Sequence, residues 1–184
     1  MKATDHLIHE HEAVLKMIKI LEAIAQKLDK GENVWASDLE AALNFLRVFV
    51  DKCHHGKEEN ILFPKLVETG IPNEGGPVGM MLREHVIGRA YIAGFAEGTE
   101  KYKSGDKKAI TDITENIRGY GELLTSHIFK ENNVLYKMAD MHLTAQQQTE
   151  LLENFEKLED EVIGRGGHEQ YHALLERLEQ QYLV

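Results

Sequence analysis

Residues 53–64 read CHHGKEENILFP: two adjacent histidines, then two adjacent glutamates, then an apolar turn that ends in proline. On a helix, positions four apart project from one face on successive turns, so His54 pairs with Glu58 and His55 with Glu59. Such a stretch is either a solvated charge run, with each pair a surface contact of a few tenths of a kcal/mol, or a helix that turns one pair inward to hold a metal ion. The segment alone leaves both readings open. A second copy further along the chain separates them.

HIFKENNVLY (residues 127–136) lies over HHGKEENILF (54–63), and EHVIGRAYI (84–92) lies over EHEAVLKMI (10–18). From His11 to His54 is 43 residues, and from His85 to His127 is 42. Each half of the chain thus offers a lone histidine on one helix and a His-x-x-x-Glu on the next. Two such hairpins facing each other across a pseudo-twofold axis form a di-metal layout. On a helical wheel of about 100° per residue, His127 and Glu131 fall within the apolar stripe of Leu124 and Val134. His11 falls between Leu7 and Val14, and His85 lies with Val78, Met81, Leu82 and Ile92. A core does not bury such groups without partners. The same wheel puts His54 and Glu58 near Leu43, Leu46, Val50 and Ile61, and turns His55 and Glu59 about 100–140° away. The candidate ligands are therefore His11, His54, Glu58, His85, His127 and Glu131, with His55 and Glu59 flanking or exposed. Arg89, one turn after His85, is a candidate to face the site or to pair with a carboxylate. Tyr120, two turns before His127, is a candidate lining residue. His6, His9, His142, His168 and His172 carry no expectation of a site.

The surrounding sequence predicts helix nearly throughout. Leu7, His11, Val14, Ile18, Leu21, Ala25 and Leu28 alternate steps of four and three, giving a first helix over about 4–29. Ser37-Asp38-Leu39-Glu40 reads as a capping box opening a second helix to about 67. The turn-rich TGIPNEGGPVG (69–79) separates it from a third over about 80–102. A fourth carries Ile110, Ile113, Ile117, Tyr120, Leu124 and His127 in register. The expected architecture is all-α, an up-down-up-down four-helix bundle over 1–140. Thr144-Ala145-Gln146-Gln147 and the glycines at 164, 166 and 167 bound two more helices. These make residues 141–184 a C-terminal extension expected to pack on the bundle.

The 184 residues suit one core, and the formal charge of −10 with no basic cluster disfavours a nucleic-acid partner. One cysteine, Cys53, excludes an internal disulfide, and no run of apolar residues is long enough to span a membrane. With no apolar leader visible, the expected location is the cytoplasm. Histidine and carboxylate without cysteine suits non-haem iron, with manganese and zinc as alternatives. Ferritin-like bundles use Glu-x-x-His with extra glutamates, the reverse of the order here.

In these motifs, EH (10–11), HHGKEENILFP (54–64), EH (84–85) and HIFKE (127–131), the chain resembles the hemerythrin-like, or HHE cation-binding, domains. The resemblance implies a bundle holding two non-haem iron ions with an oxo or hydroxo bridge. It carries the ligand set onto His11, His54, Glu58, His85, His127 and Glu131, with both glutamates bridging and one position open on each iron. Oxygen-carrying hemerythrins have a fifth histidine one turn after the third-helix histidine, where this chain has Arg89. Four histidines and two glutamates look more like the bacterial regulators of cell morphogenesis and NO signalling. Those often carry a cysteine-containing N-terminal domain, which is not seen here. The expected activity is binding or sensing of O2 or NO. The alternatives are a redox enzyme acting on peroxide or NO, and an iron donor in iron–sulfur cluster repair.

Overall fold

The computed structural model describes all 184 residues. Six helices account for it: α1 (Ala3–Asp29), α2 (36–68), α3 (Pro77–Lys103), α4 (109–142), α5 (Ala145–Val162) and α6 (Gly167–Tyr182). There are no strands, and no helix is long and apolar enough to cross a membrane.

The buried apolar residues fall into two clusters, one toward each end of the bundle. One gathers Val14, Met17, Leu21, Phe45, Leu46, Phe49, Ile92, Phe95, Ile117, Tyr120 and Leu124. The other gathers Leu7, Leu62, Phe63, Leu66, Met81, Leu135, Tyr136 and Ala139. Helices α1 and α3 run from the second cluster to the first, while α2 and α4 run the other way, so the four alternate up, down, up, down. Between the clusters lies a polar layer. His11 sits between Leu7 and Val14, His54 between Val50 and Leu62, His85 between Met81 and Ile92, and His127 between Leu124 and Leu135.

Helices α3 and α4 pack most closely, which glycine allows. A Cβ added at Gly98 would meet Ile113 Cγ1 at 2.8 Å, and one at Gly119 would collide with the Tyr91 ring. The C-terminal helices each close one apolar cluster. Leu151 and Phe155 of α5 join the second cluster, whereas Leu175, Leu178 and Tyr182 of α6 join the first. On α6, Arg177, Gln181 and Tyr182 converge on the buried Asp38 carboxylate, and Glu179 accepts from Lys16 of α1 at 2.8 Å.

Two local expectations change. Helix α2 begins at Ala36 with Trp35 as its cap and no side-chain capping bond, so Ser37 already lies inside the first turn. Thr144, by contrast, does cap α5, in a reciprocal box with Gln147. The larger difference is in helix width. Residues Phe45–His55, Glu58–Leu62 and Glu131–Leu135 have π-helical turns, bonding five residues back instead of four. Turns of this kind are frequent at functional sites. An added residue per turn shifts the phase of all that follows. Leu135 is consequently buried at 1% exposure, and Val134, placed in the stripe by the α-helical wheel, is 49% exposed.

Candidate metal centre

All six residues marked by the sequence repeat are buried in the polar layer, each at 2% exposure or less. His11 Nε2 and His54 Nε2 face each other at 3.0 Å, and His85 Nε2 and His127 Nε2 at 3.1 Å. The glutamates span both pairs. Glu131 lies 3.2 Å from His11 Nε2 through one oxygen and 3.1 Å from His127 Nε2 through the other. Glu58 Oε2 is 3.4 Å from His85 Nε2 and 3.8 Å from His54 Nε2.

The outward ring nitrogens fix the chemistry of the inward ones. His54 Nδ1 donates to Glu10, His85 Nδ1 to Glu59, His127 Nδ1 to Glu84 and His11 Nδ1 to the Asn132 amide oxygen, all at 2.7–2.8 Å. A carboxylate only accepts, so Nδ1 carries the proton and a neutral ring presents a bare lone pair at Nε2. Two lone pairs 3 Å apart in a dry interior repel, as would two N–H groups. Each pair thus needs a cation between its nitrogens. A shared proton would serve the nitrogens and still leave Glu58 Oε2 and both oxygens of Glu131 without hydrogen bonds, as they are. Orphaned buried carboxylate oxygens are costly. A metal ion takes lone pairs from imidazole and carboxylate together, so the donor set fits one. Without a metal ion the site would take protons instead: burial opposes charge on His85, yet Glu58 and Glu59 beside it raise its pKa to about 10. The layer, in other words, draws positive charge in. Tyr136 completes it, stacking on His11 and donating to Glu58 Oε1 at 2.6 Å.

His55 does not point away. It is 4% exposed and stacks on His85 with ring centroids 3.8 Å apart. One ring nitrogen groups with donor atoms of Glu58, His85 and His127, all within 4.8 Å of one another, as His11, His54 and Glu131 group on the other side. The wide turns of α2 explain the difference, because a wheel of 100° per residue carried through 45–55 loses phase. Burial first, and the neighbouring His85 charge next, push the His55 pKa well below the usual histidine value. Its Nδ1 has no hydrogen bond but lies 3.5 Å from Asp51. Arg89 turns away from the rings and pins the acceptors instead, donating to Asp51 and Glu59 at 2.8 Å each. Tyr120 is buried in the first apolar cluster with an unpartnered hydroxyl.

The sequence reading missed the acceptors. Their signal was the repeated Glu-His dipeptide, in which Glu10 and Glu84 serve not the adjacent histidine but the one on the next helix. A surface groove of about 760 Å³ between α1 and α4 is lined by none of the clustered residues.

The family model described as the hemerythrin HHE cation binding domain matches residues 2–139, which hold every residue of the polar layer. The chain belongs to the hemerythrin HHE family. The chain also aligns with uncharacterized proteins of Mycobacterium tuberculosis (strain ATCC 25618 / H37Rv) and Mycobacterium bovis, at 22% identity over 166 residues. That alignment covers 90% of this chain but 64% of each relative, so the chain spans about two-thirds of their length. No solved structure matches it. Membership in a cation-binding family and the buried His/Glu groups agree that the polar layer is able to hold metal.

Proposed function

We propose that this HHE domain holds two iron ions in the polar layer and binds a diatomic ligand, O2 or NO, there. His11 and His54 would hold one ion and His85 and His127 the other, with Glu58 and Glu131 near histidines of both pairs. His55 adds a third histidine to the second position. The observation that carries the reading is the pairing of bare Nε2 atoms around carboxylate oxygens that have no other partner. Iron in such a donor set would supply one-electron chemistry.

The chain's own residues do the rest. Glu10, Glu59, Glu84 and Asn132 lock each imidazole in one tautomer and one orientation. Apolar clusters above and below exclude water, which favours small, weakly polar ligands. Tyr136 holds Glu58 in place through its hydroxyl.

Metal analysis with an optical spectrum tests the proposal. Aerobically purified protein should carry two irons per chain, with near-ultraviolet bands that bleach on dithionite and shift with azide, and the reduced protein should take up O2 or NO. Two zinc ions, or a folded protein that never binds metal, would refute it. Catalytic turnover of peroxide by the iron-loaded protein would move the assignment from binding to redox catalysis.

A further inference from the structure

The two halves of the metal centre are copies out to one more residue than the ligands. Lys57 and Lys130 hold equivalent places in the repeat, three residues after His54 and His127. In each half one glutamate divides its oxygens between histidine and lysine. Glu10 accepts from His54 Nδ1 at 2.8 Å and from Lys57 Nζ at 2.6 Å. Glu84 accepts from His127 Nδ1 and from Lys130 Nζ.

Beyond that the halves part. The Lys130 side chain is 31% exposed and has Glu84 as its one ion-pair partner. Lys57 is 0% exposed and is held by two further groups, Glu159 of α5 at 2.7 Å and His6 Nε2 at 3.0 Å. The other Glu159 oxygen lies 3.0 Å from His168 Nε2 of α6. His6, Glu10 and Glu159 are grouped as if for a third metal ion, but the Lys57 ammonium already occupies their midst, donating to both carboxylates and lying 3.0 Å from His6 Nε2. A buried ammonium is tolerated because it is paired on all sides. Glu159 supplies the second negative charge, and it comes from outside the segment that defines the family.

We propose that the two C-terminal helices position the His11–His54 half of the metal centre through the chain Glu159–Lys57–Glu10–His54. Glu10 orients the His54 ring, Lys57 orients Glu10, and Glu159 keeps Lys57 between the two carboxylates. Docking of α5 and α6 and occupancy of this half are therefore linked, and by the same factor in both directions. The inference rests on the metal-binding reading above. Without Glu159 the first half would stand as the second does, with a lysine free to leave toward solvent.

The test is competitive titration with Zn(II) or Co(II) against a chromophoric chelator, on the full chain. Glu159→Gln keeps the shape and loses the charge. It should weaken one of the two metal equivalents by about tenfold, the lower end of what residues supporting a ligand contribute, and leave the other unchanged. Glu159→Asp should restore part of the loss. Glu179→Gln cuts a different contact between α6 and α1 and should change neither equivalent. In a His54→Ala background Glu159→Gln should have no effect on the remaining ion. Metal should slow hydrogen exchange in residues 145–182 of the wild type but not of Glu159→Gln. Should Glu159→Gln fail to fold, Lys57→Met with Glu159→Gln removes the buried ammonium as well and should show the same selective loss. Wild-type affinities for both ions in Glu159→Gln, or equal weakening of both, overturn the proposal while the metal centre stands. A wild type that binds no metal overturns both.

Discussion

Replacing His55 by alanine distinguishes a histidine that holds metal from one that fills the core. The ring is 4% exposed, stacked 3.8 Å from His85, and its donor atom groups with those of Glu58, His85 and His127. Even an outer group supporting a ligand contributes about 10–100-fold in metal affinity. A direct ligand should exceed that, so His55→Ala should weaken the second ion by at least about 100-fold, or roughly 2.8 kcal/mol at about 1.4 kcal/mol per decade. The first ion, held by His11 and His54, should change little. Removing the ring also opens a cavity, and large-to-small changes in a core cost about 2–5 kcal/mol of fold stability. His55→Phe controls for that by restoring an aromatic stack without a donor nitrogen. Competitive metal titration separates the two effects, because a packing role predicts that His55→Phe rescues affinity, and a ligand role predicts that it does not. In iron-loaded wild type the ions should also give two distinct Mössbauer doublets that become alike in His55→Phe. Two ions bound with wild-type affinity by His55→Phe would refute the ligand role.

Substituting His54 or His127 by alanine should each leave about one ion per chain by metal analysis, and two ions in either would refute the pairing of Nε2 atoms as ligands. Cys53 is fully buried and its thiol is pushed up to about 12, mainly by burial. Native protein at pH 8 should therefore resist a thiol reagent that labels the urea-unfolded chain at once. Phe155→Ala should cost about 3–5 kcal/mol by urea denaturation, since its ring is fully buried against the bundle. A cost below about 1 kcal/mol would mean that α5 is peripheral to the core. Burial works against the Glu159 charge, but His168, His6 and Lys57 outweigh it and hold its pKa below the ordinary 4.5. A depressed carboxyl stabilises the fold above its unfolded value and loses that contribution as pH falls. The stability gap between wild type and Glu159→Gln should thus be full above about pH 4.5 and close in acid, as thermal melts across pH would show.

The bundle was legible because its helices are amphipathic and its breaks fall at glycine-bearing turns, Gly31-Glu32-Asn33 and Ser104-Gly105-Asp106. The polar layer was legible because the His and Glu spacing repeats, and an accident does not recur on the same face of four helices. What stayed hidden were features that depend on phase or on contacts between helices. His55 and Val134 were misplaced for one reason: a wheel assumes constant pitch, and α2 and α4 widen where they carry the ligands. The acceptors of the ring nitrogens lie 26 to 121 residues from their histidines, so the repeated Glu-His dipeptide marks Glu10 and Glu84 without showing which histidine each serves. Lys57 looked like one more charge in a polar run, because its burial is produced by a helix that begins more than 80 residues later.

The repeat also makes the departures from symmetry informative. Where α2 carries His55, α4 carries Ile128, and where α2 carries Glu59 with Arg89 behind it, α4 carries Asn132 with no arginine. The half built on His85 and His127 has thus gained a histidine and a charged acceptor braced by a guanidinium. The half built on His11 and His54 has two histidines and instead gained Glu159, on the far side of Lys57. One position is crowded with donors and the other is left with fewer, so the diatomic ligand proposed above would have more room at the His11–His54 position. That is also the position to which the C-terminal helices are tied. If ligand and extension act on the same ion, ligand uptake should alter hydrogen exchange in α5 and α6 and leave the second-half surface around Lys130 unchanged. Protection changes at both, or at Lys130 alone, would show that the asymmetry of the side chains is not an asymmetry of function.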